Sequence, residues 1–330
     1  MERVFLTCFP SLRRSRKPSS STNIDEPVTL FSSLITDVDR LQTISLPEGS
    51  ISLQWCSEAT NLLRKMHFQL FLFYEKSDVL GSWDGINILD EYMKETLDLL
   101  DLCNSLNSSI SAMGRYRLTV DLAVTKLSND DEIFPDIIAT AKTEIERIEI
   151  ESKKIYGVDE KWKDKNLFET TTAGMPKTKS YRFIYAVKSA VSVMGMLLFS
   201  AVLYPVSKIG NNVNEEVYRE FPRLKLFSVS LGKLVDCYEF LKGNDDVTRP
   251  VLVENKVVEK AVLEIKEEIL KGKGADQERL RKSIDLLKKS SLALKEGIEM
   301  FEAVVNELFA DVVEGRNKLL AMVNTNYKKM

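Results

Sequence analysis

Residue types that carry chemistry are sparse in this chain, and their spacing speaks against most reactions. His67 is the only histidine in 330 residues. That removes histidine-cluster metal sites and any catalytic pairing built on a second imidazole. It lies between Met66 and Phe68 on an apolar helical stripe, the setting of a satisfied, partly buried ring. Cys8, Cys56, Cys103 and Cys237 are far apart and never form C-x-x-C. Neither a zinc site nor a disulfide framework is indicated, and a reducing compartment fits. The acids Asp130, Asp131, Glu132 and the pair Asp245, Asp246 lack the ligand spacing of a calcium loop and read as helix N-terminal charges. Lys271-Gly272-Lys273-Gly274 has glycines but no preceding strand, and reads as a helix end followed by a turn. No glycine-rich phosphate loop occurs. The expectation is no catalytic residue, no cofactor and no metal.

Charge points the same way. With 46 basic and 49 acidic residues interspersed and a net charge of −3, the chain has no concentrated basic face of the kind nucleic acid requires. Two local exceptions stand out. Residues 1–27 form a basic, serine-rich tail resembling a short transit segment, although Glu2, Asp25 and Glu26 spoil the pattern. From Thr170 to Asn214 there is no acid. Lys177, Lys179, Arg182 and Lys188 in that stretch are the candidate contacts to membrane headgroups.

The basic stretch leads into nineteen residues without charge, Ser189 to Ser207. As a helix they reach roughly 28 Å, just short of a bilayer's hydrocarbon core. Two readings stay open. The segment is a marginal single span with its amino flank on the cytosolic or stromal side, or it is the central helix of a large bundle. Four serines, Gly195 and Pro205 weaken the first. Placing the flanking helices in separate compartments weakens it further, since each would have to bury its apolar stripe alone.

The elements that position these residues are helical almost throughout. Fourteen glycines and nine prolines are few, which favours long uninterrupted helices. Trp55, Ala59, Leu62, Met66, Leu70 and Phe73 recur at steps of three and four and so share one helical face. Leu89, Met93, Leu97, Leu100 and Cys103 mark another stripe, continuing to Ile110, with Asp84 as its N-cap. Pro135 and Asp136 open a helix that Gly157 stops. Residues 217–241 read as a helix bent near Pro222, and Val251 to Ile269 as the next. Leu280, Ile284, Leu287, Leu294, Ile298, Phe301, Val305, Leu308 and Val312 then follow steps of four and three, interrupted only at Ser291. Such a seam belongs to a long helix packed nearly antiparallel on its neighbours; a coiled coil has the same pattern.

The fold class expected is all-α: an elongated multi-helix bundle with long antiparallel helices and a central apolar helix. The organisation expected is a tail (1–27), an N-terminal helical region (28–156), a linker (157–179), the apolar helix (180–207) and a C-terminal helical region (208–330). Residues 28–330 are expected to form one bundle.

Four segments carry a family resemblance. These are the tryptophan-led helix at Trp55, Leu99-Leu100-Asp101-Leu102-Cys103-Asn104, Tyr185-Ala186-Val187-Lys188 entering the apolar stretch, and Gly315-Arg316-Asn317-Lys318-Leu319-Leu320. In order and spacing, over roughly residues 28–325, the chain resembles the plant BYPASS family. The resemblance implies a non-enzymatic helical protein with a proposed membrane segment in the same place. It implies a role in root and shoot development, through restraint of a mobile, root-made, carotenoid-derived signal. It also implies protein partners engaged through helix faces, with links to the exocyst and to stress signalling. The family has no established catalytic residues to transfer.

Overall fold

A computed structural model of the chain describes residues 27–44, 50–76, 83–128, 134–156, 179–204, 209, 222–242, 251–271 and 276–327. Among these the helices are α1 (Pro27–Thr43), α2 (Leu53–Lys76), α3 (Trp83–Leu127), α4 (Phe134–Tyr156), α5 (Lys179–Val202), α6 (Pro222–Lys242), α7 (Val253–Leu270) and α8 (Gln277–Tyr327). Two-residue strands β1 (Ser50–Ile51) and β2 (Val251–Leu252) immediately precede α2 and α7. The all-α class holds, and the strands are a local bridge that helical periodicity does not announce.

Two long helices form the spine. α8 has 51 residues, about 76 Å at 1.5 Å per residue, and α3 has 45. Asn107 bonds Asn306 at 3.1 Å, and Arg316 reaches the Met93 carbonyl at 2.6 Å. The pairing descends on α3 as it ascends on α8, so the two run antiparallel. The seam residues Leu294, Phe301, Val305, Leu308 and Val312 are fully buried. Ser291, the break in the seam, is also buried and donates its hydroxyl proton to Asp121 of α3. A hydroxyl placed where an apolar residue was expected is thereby satisfied rather than stranded.

Two element bounds, both of α3, differ from the sequence expectation. α3 does not stop near Ile110 but continues through Gly114 to Leu127. A lone glycine costs such a helix only about 1 kcal/mol, and packing along α8 outweighs it. α3 also begins at Trp83, which puts Asp84 inside the first turn. The described part of α6 opens at Pro222, and proline suits a first turn, where its missing N–H would be unpaired anyway. Residues 217–221 of that expectation lie outside the described part, as do the tail 1–26 and all of the proposed linker except Lys179.

The spine is clad differently at its two ends. At one end, α4 and α7 complete a four-helix bundle with the second half of α3 and the first half of α8. Lys126 pairs with the buried Glu144 at 2.6 Å, Lys266 with Glu149 at 2.5 Å, and Ser283 with Glu264 at 3.2 Å. Glu268 ties this end shut, accepting from Lys271 at 2.6 Å, Arg279 at 3.0 Å and the Asp276 amide at 3.2 Å. At the other end, α2 lies on α8 and α5 lies on α2 and α3, while α1 and α6 pack together as an outer layer against α2 and α5. Helices from before and after residue 157 thus share one core.

The two claddings meet in mid-molecule. Ser50 and Ile51 pair in parallel with Val251 and Leu252, and α2 and α7 then depart in opposite directions along α8. Two helix N-termini, each bearing roughly half a positive charge, face one another there. Glu254, in the first turn of α7, accepts the Leu53 amide of α2 at 3.0 Å, so one carboxylate serves both. Burial pushes its pKa upward, and the backbone amides it accepts pull it back. Ser52 Oγ caps the Trp55 amide at 3.1 Å, and Lys256 donates to Ser50 Oγ at 2.5 Å.

Gly297 of α8 passes directly beneath this junction. A Cβ there would lie 2.9 Å from Leu53 Cδ1 and 3.1 Å from Leu53 Cβ, so the close approach requires glycine. Gly297→Val should destabilise the protein by about 2 kcal/mol through overpacking, read as a lower urea midpoint. An unchanged midpoint would mean that Leu53 yields without cost.

Candidate functional site

Residues scattered through the sequence converge on one turn of α3, from Glu91 to Thr96. α2 brings His67 and Tyr74, α5 brings Lys188, and α8 brings Gly315 and Arg316. The sole histidine, the last lysine of the basic stretch and the glycine–arginine pair of the terminal motif therefore share one site, although sequence gave no reason to group them.

Tyr92 is its centre. Its ring is buried, and its hydroxyl shares a hydrogen bond of 3.1 Å with Nε2 of His67. Tyr74 meets its edge at a centroid distance of 4.9 Å and 63°, a favoured aromatic geometry. The approach of α8 here depends on Gly315, where a Cβ would stand 2.6 Å from Tyr92 Oη and 3.3 Å from the Phe71 ring. Arg316, next in line, donates to the Met93 carbonyl and to Thr96 Oγ1, each at 2.6 Å. Thr96 in turn donates to the Tyr92 carbonyl at 2.6 Å. Beside the cluster, Arg64 of α2 binds both Glu307 and Asp311 of α8, and Lys318 sits 5.8 Å over the Phe71 ring.

Its electrostatics follow from burial. His67 is 1% exposed, and desolvation lowers its pKa to about 4, against the opposing pull of Asp311. It is neutral at pH 7. Its Nδ1 and the Oε2 of Glu95 make no hydrogen bond. The Glu95 carboxyl is pushed up to about 8, by burial first, with Lys188 opposing and Glu91 and Asp98 adding repulsion. Burial likewise drives the Tyr92 phenol upward. A neutral imidazole, a neutral phenol and an arginine spent on backbone and hydroxyl acceptors together tie three helices, α2, α3 and α8.

The candidate headgroup residues separate. Lys177 lies outside the described residues. Lys179 is the first residue of α5, and Arg182 lies in its first turn. Lys188 lies deeper, its ammonium 3.4 Å from Glu91 and 3.5 Å from Glu95, with a side chain 21% exposed. Its charge is engaged by α3. Sequence reading missed Glu95, Tyr92 and Arg316 as partners. The one available signal was Gly315 inside a strong helical pattern, a usual mark of close approach. Among the described residues no group of three His, Cys, Asp or Glu side chains could hold a metal ion.

The nineteen-residue window Ile184–Val202 of α5 has a mean hydropathy of 1.6, and protein covers 83% of it. Ser189, Ser192 and Ser200 are buried with it, and Ser200 Oγ accepts the Tyr238 hydroxyl at 2.9 Å. Compared with protein-family models, curated proteins and solved structures, the chain matches none.

Glu95 and His67 should impose opposite pH dependences. The folded pKa of Glu95 exceeds its unfolded value of 4.5. Its contribution is therefore full below pH 4.5 and is lost as pH rises towards about 8. The folded pKa of His67 lies below 6.5, so its contribution is present above that pH and is lost as pH falls towards about 4. Urea midpoints taken between those limits should show Glu95→Gln gaining on the parent protein with rising pH. His67→Phe should gain on it with falling pH. Parallel profiles would sink both assignments.

Proposed function

We propose that this chain is a non-enzymatic regulatory protein of the BYPASS type. In this reading it acts in plant root and shoot development by restraining a mobile, carotenoid-derived signal from the root. It works through protein contacts made by its outer helix faces, with α5 as the core of the bundle. The observation that carries the core assignment is the 83% coverage of the apolar window. A spanning helix would expose that surface to lipid and leave the facing sides of α2 and α3 bare.

The spatial placement of the four resembling segments supports the family reading. Trp55, Leu99, Leu102, Cys103, Ala186, Val187 and Leu319 are all buried in one core, with Gly315 and Arg316 seated on the α3 turn. Short motifs that are weak singly become one connected unit. The links to vesicle trafficking and stress signalling suit the same architecture, because a protein with a closed apolar helix can serve as a diffusible adaptor.

Alkaline carbonate extraction tests the core assignment: the chain should be released into the supernatant, and retention in the pellet would overturn it. Expression in a plant lacking its own BYPASS-family protein tests the role. Restored shoot growth is expected, and persistent arrest would count against the family reading.

A further inference from the structure

α6 has an apolar side that is left exposed. Leu224, Phe227, Leu231, Leu234 and Tyr238 are buried against the body of the protein. On the opposite side Leu226, Val229 and Phe240 are 60%, 49% and 75% exposed, with exposed Lys233 and Cys237 between them. At 100° per residue these five positions fall within a sector of about 80°. Lys225 and Asp236, both exposed, border it. The result is an apolar ridge of four turns with a lysine at its middle.

We propose that this face of α6 is a peripheral docking surface for an anionic lipid bilayer. The charge arrangement selects the occupant. The exposed charges on this side, Lys225, Lys233 and the acid Asp236, sum to a net positive face, which an anionic layer complements. The long stems of Lys233 and Lys225 let their charges reach headgroups while the neighbouring apolar side chains sink below them. A fluid bilayer conforms to a row of exposed apolar side chains, where a protein partner would have to supply a matching groove. The inference rests on α5 remaining inside the fold, because an inserted α5 would dictate the position of α6 at the membrane.

Cys237 provides a reporter within the ridge. Cys56 and Cys103 are buried, so in a full-length Cys8→Ser background a polarity-sensitive maleimide dye labels Cys237. Vesicles of phosphatidylcholine with phosphatidylserine should shift its emission to the blue, and pure phosphatidylcholine vesicles should not. Unlabelled protein should sediment with the anionic vesicles and be released at about 1 M salt, where the Debye length is roughly 3 Å. Leu226→Glu with Phe240→Glu should reduce binding roughly tenfold or more, and Lys225→Glu with Lys233→Glu should abolish the preference for phosphatidylserine. The proposal is overturned by binding unchanged in the Leu226/Phe240 variant, by no shift with either vesicle, or by a shift that grows with protein concentration without vesicles. A shift induced by another protein instead of lipid would also overturn it. Retention that resists both salt and carbonate would instead indict the core placement of α5.

Discussion

The apolar seam of α8 from Leu280 to Val312, about 48 Å long, cannot be left in water, and no single described helix covers it. α3 lies along most of α8, but the remaining flank is covered in two pieces, by α2 and α7. Covering one long rod with two shorter ones forces a seam between them, and here the shorter helices meet amino end to amino end. Glu254 answers the electrostatic cost of that arrangement by accepting the first amide of α2 from the first turn of α7. Gly297 answers the steric cost, leaving space for Leu53. The two-residue bridge of Ser50–Ile51 with Val251–Leu252 fixes the register of the join.

The same logic of long rods and short cladding explains where polar groups are tolerated inside. A dry interior selects for groups that neutralise or pair, and the Tyr92 cluster does both. His67 gives up its proton, Arg316 spends its donors on a carbonyl and a hydroxyl, and Lys188 spans the carboxyl groups of Glu91 and Glu95. The arrangement ties α5 to α3 at a point where α5 is otherwise held by apolar contact.

Much of this was legible in the sequence because helical periodicity reports burial directly. The seam residues of α8 and the stripe of α2 from Trp55 to Leu70 are buried as their spacing requires. Leu97 of the expected α3 stripe, however, is 52% exposed, because the side of α3 that meets its neighbours carries Tyr92, Leu99, Leu102 and Leu106 instead. Periodicity is silent about ends that packing decides, so α3 extends well past Ile110 and the bridge strands went unseen. It is silent too about partners, since nothing in the spacing of His67, Lys188 and Arg316 says that they approach the same turn. Those contacts are set by the relative slide of α2, α5 and α8 along α3, a property of three dimensions. The charge-free stretch gave the sharpest signal and the least decisive one, because an enclosed core helix and a bilayer span obey the same composition rule.

The continuity of α8 also constrains how the protein is made. Residues 277–327 are made after α2, α3 and α7, yet all three close upon them. While the nascent chain lacks that helix, the greasy sides of the earlier ones have nothing to rest on. Final assembly must therefore wait for α8 itself, and chaperones would meet the earlier helices with their apolar sides uncovered.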